Sequence, residues 1–386
     1  LLTTKATLFT ALLTLAPTEE EKSWVDKIRL DPEHFIPQEL IFLITKQPQI
    51  NTVFESLILT IIDHEDLTAD QMYQGMEFVF DKAVPDYLKA CFLEGLRLKR
   101  ETFLENKTAF SYLYDRSDRR KVNLEYLIDL SFSYDGFNRS LCLVPFLPPL
   151  LAAMGFPCVI HGVDSIGPKY GINPYQIYAE YGLDVSLSLN EAAQRVCQPD
   201  IGWAYVDQSQ FFPDLYALKT CRQHMVKRPL LTTMEKFLQP LRAKKNCIIT
   251  GYTHPPYRKM TVDLFQDADI FDSFLVIRGV EGSMQLPSDR RCPVTVGKQG
   301  KIYEDFLKPS LFGVPESDRV KADPGIMLSD CLDYGLNGLK GNHPEAQATL
   351  AYHAASWLSF LGLMDGKQAF ELAGDVIRSG KVRASF

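Results

Sequence analysis

The sequence predicts an α/β protein that has a small all-helical N-terminal domain and a larger α/β domain with a mostly parallel central sheet. Three observations lead to this prediction. The chain has 386 residues, a length that favours two domains. Apolar residues recur at helical spacing through the first third of the chain. After about residue 125, short apolar runs alternate with stretches of helical length, which is typical of a parallel sheet covered by helices.

Composition and charge narrow the class of protein. Hydrophobic residues make up 46% of the chain and charged residues 23%, so neither a disordered nor a fibrous protein is expected. The formal net charge of −7 disfavours a protein that binds polyanions over its whole surface, although it leaves a local basic patch open. No apolar run reaches membrane-spanning length, so no membrane insertion is expected.

The cysteines indicate the redox environment. Eight cysteines are dispersed along the chain, and none forms a C-x-x-C pair. In a chain of this size, the pattern favours buried free thiols in a reducing compartment over disulfides. We therefore expect a cytoplasmic location, or the stroma or matrix of an organelle if a transit peptide was removed.

The helical part begins with an extension at residues 1–50. Its first 16 residues predict an amphipathic helix rather than a signal peptide, because Lys5 and several threonines interrupt the apolar run. Further along the extension, an apolar stripe at helical spacing predicts another helix. The stripe consists of Leu40, Ile41, Leu43 and Ile44.

The helical domain is predicted at residues 51–125, with no strand. Its first helix has the apolar stripe Phe54, Leu57, Ile58 and Ile61. The next helix is expected to begin near residues 66–71, where Asp66 or Thr68 can accept from free backbone amides. Another helix is expected to begin at Pro85-Asp86.

Residues 126–386 are the predicted α/β domain. Its strands are expected at four short apolar runs, residues 156–160, 201–206, 247–251 and 274–279. Helices are expected at residues 174–181, 255–265 and 344–385, and some helices near 175–240 are expected to pack on the helical domain. Ligands bind beyond the carboxyl ends of parallel strands. This directs attention to the segments that follow the strands, namely 161–171, 207–213, 251–258 and 278–285.

Several short motifs occur in an order that resembles a known family. Residues 90–100 read ACFLEGLRLKR, and residues 137–140 read F-N-R-S. His161-Gly162 follows, and Ser379-Gly380-Lys381 ends the last predicted helix. Over residues 52 to 383 the chain resembles the anthranilate phosphoribosyltransferase family, or glycosyltransferase family 3, which is related in fold to the pyrimidine nucleoside phosphorylases.

The resemblance implies a fold, a reaction and a site. It implies a nucleoside phosphorylase/phosphoribosyltransferase-like fold with a cleft between the domains and a homodimer formed through the helical domain. The family transfers phosphoribose from phosphoribosyl pyrophosphate to anthranilate, in tryptophan biosynthesis, with Mg²⁺ as cofactor. No catalytic residue is assigned. The residues that the resemblance places at phosphate or substrate are Asp135, Gly136, Asn138, Ser140, His161, Gly162, Lys169 and Arg228.

The chain departs from the family where pyrophosphate and metal bind. The family's G-T-G-G-D-G loop corresponds to S-F-S-Y-D-G at residues 131–136, which places Phe132 and Tyr134 where the backbone should approach phosphate. The family's metal-binding Asp-Glu pair corresponds to R-G-V-E-G-S-M at residues 278–284, where Glu281 is the single carboxylate and the only metal candidate. The K-H-G-N element lacks its Lys and its Asn. These departures predict that the standard activity is lost or altered.

Other motifs resemble a different branch of the family. Residues 278–282 (R-G-V-E-G), Asp289-Arg290-Arg291 and residues 252–257 (Y-T-H-P-P-Y) are similar to motifs of anthranilate-phosphoribosyltransferase-like paralogues. Those paralogues lack the tryptophan-pathway activity and are linked to nucleic-acid binding. The basic residues that could serve this role here are Lys219, Arg222, Lys227, Arg290 and Arg291. The net charge of −7 weighs against this branch.

Each site residue also has a purely structural interpretation. Asn138 and Ser140 either bind phosphate at a helix N-terminus or simply cap that helix. His161 lies either in the cleft, which we favour, or in the core as a hydrogen-bonding residue. Arg228 binds an acceptor carboxylate or a phosphate, or it forms a structural ion pair. Glu281 either keeps a metal contact or, as we favour, is a loop residue.

Two further expectations concern charged partners. As a loop residue, Glu281 is expected to pair with Arg278 or Arg290. The three basic residues between 219 and 227 are expected on one broad helical face, which is either solvated or bound to nucleic acid.

Three functions stay open at this point. The first is phosphoribosyl transfer to anthranilate or another aromatic acceptor. The second is nucleic-acid binding without catalysis, and the third is the role of a scaffold or regulatory subunit, with a small phosphorylated ligand in the cleft or with none.

Overall fold

The computed structural model describes residues 1–15, 18–225, 227–314 and 325–382. Within them the chain forms two compact units. The helical unit comprises Leu1–Arg116, Ile166–Pro168 and Asp214–Glu235, and the sheet unit comprises Ser117–Ser165, Lys169–Pro213 and Lys236–Phe386. The predicted fold class, a helical N-terminal domain and a larger α/β domain with a mostly parallel sheet, is confirmed.

The described part of the first 116 residues forms eight α-helices. They are α1 Leu2–Thr14, α2 Glu19–Leu30, α3 Pro32–Phe35, α4 Ile41–Thr45, α5 Thr52–Ile62, α6 Ala69–Phe80, α7 Asp86–Lys99 and α8 Phe103–Arg116, with a 3-10 turn at Gln38–Leu40. Ala16, the predicted end of the first helix, lies outside the described residues. The predicted helix starts near residues 66–71 and at Pro85-Asp86 are confirmed.

Local sequence explains where these helices begin. At α6 the Thr68 side chain accepts from the Gln71 amide, and the Gln71 side chain accepts from the Thr68 amide. This reciprocal capping box satisfies two amides that the first helical turn leaves unpaired. At α5 the Asn51 side chain accepts from the Phe54 amide in the same position.

The described residues of the sheet unit form nine strands. They are β1 Arg120–Lys121, β2 Tyr126–Ser131, β3 Cys158–Gly162, β4 Trp203–Asp207, β5 Leu241–Arg242, β6 Lys245–Gly251, β7 Ser273–Ile277, β8 Cys292–Lys298 and β9 Lys301–Leu307. Seven form one sheet in the order β4-β3-β2-β6-β7-β8-β9. The first five of these are parallel, and β8 and β9 add an antiparallel hairpin. β1 and β5 form a separate parallel pair.

Eleven further α-helices follow β2 where the structure describes the chain. They are α9 Leu147–Ala153, α10 Pro174–Tyr181, α11 Leu189–Cys197, α12 Gln208–Phe211, α13 Pro213–Ala217, α14 Lys219–Arg222, α15 Leu231–Met234, α16 Pro255–Ala268, α17 Leu328–Leu339, α18 Pro344–Leu361 and α19 Gly366–Ser379. Short 3-10 turns lie at Val144–Phe146, Glu235–Phe237, Val280–Gly282 and Pro309–Phe312. Residues 383–385 of the predicted last helix lie outside the described residues.

All four predicted strands are confirmed, but other strands were not predicted. The central strand β2 has Asp129 in its middle, which interrupts the apolar run that marks a buried strand. The hairpin β8–β9 has no continuous apolar run, because polar residues interrupt both strands, and most of β9 is exposed. The expectation that residues 1–125 contain no strand is wrong at β1, a two-residue strand with both side chains exposed.

Two further sequence predictions concern the cysteines and the hydrophobicity of the helices. The eight cysteines are all free thiols, seven of them buried and Cys197 exposed, which confirms the prediction of free thiols over disulfides. Among the residues that the structure describes, no helix is both long enough and apolar enough to cross a membrane.

Candidate functional site

A tight turn follows β2 at the carboxyl edge of the sheet. The Gly136 amide donates to the Ser133 carbonyl (3.0 Å), which closes the turn. Gly136 has a φ of +72°, a conformation that side chains rarely adopt. A Cβ atom at this position would also lie 2.4 Å from the Gly171 carbonyl oxygen. Only glycine therefore fits between this turn and the segment at Gly171.

The turn is tied to residues 171–172 by backbone hydrogen bonds. Phe137 and Ile172 exchange two of them, at 2.8 and 2.7 Å, and the Gly171 amide donates to the Asp135 carbonyl at 2.9 Å. Asp135 itself is buried. The loop after β2 and the segment after β3 therefore form one structural element in the sheet unit.

The two aromatic residues of the loop lie in the core. Phe132 stacks on Phe137 with ring centroids 5.6 Å apart, and Tyr134 packs edge-on against His161. Both Phe132 and Tyr134 are almost fully buried. The expectation that their side chains lie where phosphate should approach is wrong, because burying the rings removes apolar surface from water.

His161 lies inside β3 and is fully buried. Its Nε2 is 3.2 Å from Asp129 Oδ1, and its Nδ1 shares a hydrogen bond with the Tyr134 hydroxyl. The expectation of a cleft position for His161 is therefore wrong, because the strand continues through it to Gly162. Gly162 ends β3 and is also buried.

Asn138 and Ser140 do not begin a helix. The 3-10 turn starts at Val144 and α9 at Leu147, so both the phosphate-at-helix-terminus and the capping interpretations of these two residues are wrong. The intervening backbone is held by Gln285, which is fully buried. Its side chain accepts from the Leu143 amide at 2.8 Å and donates to the Leu141 carbonyl at 2.9 Å.

The carboxylate of Glu281 binds the exposed part of this loop. Its Oε1 accepts from the Arg139 amide at 2.8 Å, and its Oε2 accepts from the Asn138 amide at 3.3 Å. Its Oε2 also lies 3.1 Å from the Lys169 ammonium. The expectation that Glu281 pairs with Arg278 or Arg290 is therefore wrong. Lys169 takes that role because the loop after β3 brings its side chain to the F-N-R-S segment.

Lys169 joins three parts of the sheet unit. Besides the Glu281 carboxylate, its ammonium donates to the Gly136 carbonyl at 3.1 Å and to the Glu281 carbonyl at 3.3 Å. The structure thus brings together Gly136, Asn138, Lys169 and Glu281, which were predicted as separate site residues. We define these four residues and Arg139 as the Glu281 cluster.

The predicted basic residues have varied environments. Arg222 is buried and forms a bidentate ion pair with Glu235, with both N–O distances 2.8 Å, so its charge is not available to nucleic acid. The expectation of one helical face is also wrong, because α14 ends at Arg222 and Lys227 lies beyond it. Lys219 is half-buried beside the Tyr216 hydroxyl, at 3.3 Å.

The other basic residues are exposed. Lys227 and Arg228 are exposed in the helical unit, and Arg290 and Arg291 are exposed in the sheet unit. Arg290 pairs with its neighbour Asp289, and Arg291 lies over the Phe306 ring at 4.0 Å.

Two polar core residues of the site were not predicted. Asp129 faces His161 from the next strand, and Gln285 fastens the backbone that follows the F-N-R-S segment. A charged residue in the middle of an otherwise apolar strand was the available signal for Asp129. Gln285 lies in the segment 278–285, which was predicted to lie where ligands bind, but Gln285 was not singled out within it.

Comparisons with known proteins show what the chain is similar to. The sequence model described as glycosyl transferase family, helical bundle domain, matches residues 55–110. A protein of Aquifex aeolicus (strain VF5) is 28% identical over 247 residues, which cover 64% of this chain and 73% of that protein. The anthranilate phosphoribosyltransferase of Xylella fastidiosa (strain M23) is 24% identical over 333 residues, which cover 84% of this chain and 92% of the relative. Over most of its length the chain is thus similar to anthranilate phosphoribosyltransferases, and residues 55–110 match the helical bundle domain of the glycosyl transferase family.

Solved structures of anthranilate phosphoribosyltransferases share the fold. The structure from Thermus thermophilus has a TM-score of 0.67 and 16% identity, covering 85% of this chain and 96% of that chain. The Saccharomyces cerevisiae protein in complex with PRPP and Mg has a TM-score of 0.69 and 15% identity, covering 87% and 96%. At this identity the likeness shows the fold alone.

The residues of this chain do not fit a magnesium ion at the position of the acidic pair that the resemblance implies. Mg²⁺ prefers oxygen ligands in near-octahedral geometry and is usually held by one or two carboxylates. Glu281 is the single carboxylate here, and both of its oxygens already accept from backbone amides. Among the described residues, no group of three or more His, Cys, Asp or Glu side chains could hold a metal ion.

Proposed function

We propose that the chain is an anthranilate phosphoribosyltransferase-like protein in which the family's standard activity is lost or altered. One observation carries the proposal: Glu281, the single carboxylate at the position of the family's acidic pair, is bound to the Asn138 and Arg139 amides and to Lys169. The Glu281 carboxylate is thus engaged by groups of its own chain, and the second carboxylate of the family's acidic pair has no counterpart beside it. The fold is kept, but the groups that would neutralise a pyrophosphate leaving group are not arranged for that task.

The loop after β2 supports the same conclusion. The resemblance implies that, in the family, backbone amides of a glycine-rich loop bind pyrophosphate. Here the amides of Phe132, Gly136 and Phe137 donate to carbonyls at Leu130, Ser133 and Ile172. Of the proposed phosphate residues in the sheet unit, Asp135, His161 and Gly162 are buried, whereas Asn138 is exposed and Lys169 half-buried. Within the sheet unit, a small phosphorylated ligand would therefore have to bind at Asn138 and Lys169.

An activity assay tests this proposal. With anthranilate, phosphoribosyl pyrophosphate and Mg²⁺, we expect the full chain to consume anthranilate at least about 10³-fold more slowly than a family enzyme. Removing a single group that stabilises developing charge already costs about 10² to 10³ in rate, and here several such groups are changed. The measurement is loss of anthranilate fluorescence, with the Thermus thermophilus enzyme run in parallel as the control. Turnover within about tenfold of the control would overturn the proposal.

Nucleic-acid binding is a second candidate, and one surface favours it. Arg290 and Arg291 are exposed beside the outer hairpin, where Arg291 lies over the Phe306 ring. Phe306 of β9 is exposed although it is large and aromatic, with 44% of its surface accessible. Basic side chains next to exposed aromatic rings are the groups that bind single-stranded nucleic acid, through phosphate contacts and base stacking.

This candidate predicts a defined salt dependence. If Arg290 and Arg291 each neutralise one phosphate, Arg290→Ala/Arg291→Ala is expected to make the log–log salt slope for single-stranded DNA shallower by about 1.4. Fluorescence anisotropy with a labelled oligonucleotide over a salt series measures the slope. Lys367→Ala/Arg378→Ala, which removes two exposed charges on α19, is the matched control. Equal slopes for the two double variants would contradict nucleic-acid binding at this surface. A wild-type affinity that does not change with salt concentration would contradict it as well.

We also propose that the chain forms a dimer through the helical unit. Large apolar side chains are exposed on that unit, and such side chains support an interface there. They include Leu8, Trp24, Leu30, Phe35 and Ile50.

A further inference from the structure

We propose that Glu281 is an internal anion that occupies an anion-binding site of its own chain, and that a phosphate group enters this site only when Glu281 leaves it. The site consists of the Asn138 and Arg139 amides and the Lys169 ammonium. The inference rests on the proposed function, because it concerns how that same site is regulated.

The donors around Glu281 are those of an anion site. Two consecutive backbone amides, from Asn138 and Arg139, point at the two oxygens of one carboxylate. The Lys169 ammonium lies 3.1 Å from one of these oxygens. Consecutive amides together with a lysine ammonium are also the donors that bind phosphate oxygens in proteins. The carboxylate therefore takes a place that suits a phosphate.

Removal of the Glu281 side chain would free donors without dismantling the site. An ammonium has three N–H donors. Those of Lys169 go to the Gly136 carbonyl, the Glu281 carbonyl and the Glu281 carboxylate. Two of these three acceptors are backbone atoms, which persist in any Glu281 variant. Lys169 would thus stay in position and have one donor to offer, alongside the two amides.

The site is partly accessible from solvent, which distinguishes it from a fully buried structural carboxylate. Glu55 in the helical unit also accepts from consecutive amides, at Ile50 and Asn51, but Glu55 is completely buried. The Glu281 and Lys169 side chains are 10% and 19% accessible, and Asn138 and Arg139 are exposed. A ligand can therefore reach the amides from solvent once the carboxylate has moved.

The backbone at Glu281 favours such a movement. Glu281 has a φ of +51°, and Gly282, which follows it, has a φ of +79°. A left-handed conformation is costly for a residue with a side chain, and it persists only where surrounding contacts enforce it. The contacts that enforce it here include the same amides and ammonium that a phosphate would take over.

Phosphate binding to the full chain tests the inference. Inorganic phosphate is titrated without metal into the wild type, Glu281→Ala and Glu281→Gln, and the dissociation constants are measured by calorimetry. We expect Glu281→Ala to bind phosphate about tenfold more tightly than the wild type, because hydrogen bonds between charged groups and amides no longer have to be broken first. Glu281→Gln, which keeps the shape but not the charge, should gain less. Glu371→Ala, at an exposed glutamate of α19, is the matched control and should gain nothing.

A further variant locates the gain. In Glu281→Ala/Lys169→Ala the added affinity should disappear, because the ammonium is one of the three donors. The inference is overturned if neither Glu281 variant binds phosphate more tightly, or if the gain survives the loss of Lys169. If Glu281→Ala does not fold, Glu281→Gln decides alone. Anthranilate turnover by the wild type would contradict the proposed function but would leave these phosphate measurements unaffected, so the two failures are distinguishable.

Discussion

Replacing Arg222 with alanine is expected to destabilise the helical unit by about 3–5 kcal/mol, because it leaves the carboxylate of Glu235 buried without its guanidinium. The pair is bidentate at 2.8 Å, and the two side chains are 2% and 0% accessible. Arg222 also donates to the Thr232 hydroxyl at 3.1 Å. The measurement is urea unfolding followed by circular dichroism, with hydrogen exchange to locate the loosened segment.

Two other variants separate the ion pair from general damage. Arg378→Ala removes an exposed arginine paired with Asp375 and should cost less than about 1 kcal/mol. Arg222→Met/Glu235→Leu replaces both buried charges with apolar groups and should recover most of the stability that Arg222→Ala loses. A loss below about 1 kcal/mol for Arg222→Ala would show that the pair contributes little.

Acidification is expected to cost about 3 kcal/mol of stability through His353 alone. His353 is fully buried on α18, where its Nδ1 donates to the Thr349 carbonyl and its Nε2 accepts from the Leu286 amide at 2.8 Å. Burial lowers the pKa of His353 to about 4, and the hydrogen bond to the Thr349 carbonyl opposes this only in part. A second proton on Nε2 would remove the acceptor that the Leu286 amide needs.

The sign of the pH effect follows from the direction of the shift. An unfolded histidine has a pKa of about 6.5, so between about pH 6.5 and pH 4 the unfolded chain binds more protons at this position than the folded chain. The contribution is fully present above about pH 6.5 and is lost as the pH falls towards about 4. Urea unfolding of wild type and His353→Gln at a series of pH values measures it.

The variant and a control define the outcome. Between about pH 4.5 and 6.5, the stability of His353→Gln should depend less steeply on pH, because one histidine fewer takes up a proton on unfolding. His34→Gln, at an exposed histidine, should keep the wild-type dependence. Parallel curves for wild type and His353→Gln would contradict the assignment of this acid sensitivity to His353.

Sequence periodicity was sufficient for those parts of the fold in which a local pattern determines the structure. Continuous apolar runs located β3, β4, β6 and β7, and the polar residues around Thr68 located the start of α6. The central strand β2 was missed because Asp129 interrupts its apolar run. That carboxylate lies opposite His161, a residue of the neighbouring strand more than 30 positions later, so no local sequence pattern indicates this contact.

The candidate site shows the same limit. The resemblance named Asn138, Lys169 and Glu281, but it did not indicate that they contact one another. Glu281 meets the Asn138 amide across 143 positions of sequence and Lys169 across 112. Such contacts depend on how strand ends meet at the edge of the sheet. The burial of Phe132 and Tyr134 likewise follows from the packing of their rings, which residue type alone does not determine.

The division of the helical unit along the chain has a consequence for biosynthesis. The unit needs Asp214–Glu235 in addition to Leu1–Arg116: α14 packs on α7, and the Lys227 amide donates to Glu94. A ribosome must add roughly 120 residues after Arg116 before the unit is complete, which takes roughly 6 to 24 s at typical translation rates. By then β1 to β4 have already been synthesised. The nascent helices therefore keep part of their packing surface exposed while the first sheet strands emerge from the ribosome. We expect a chaperone to bind the nascent chain chiefly in this interval.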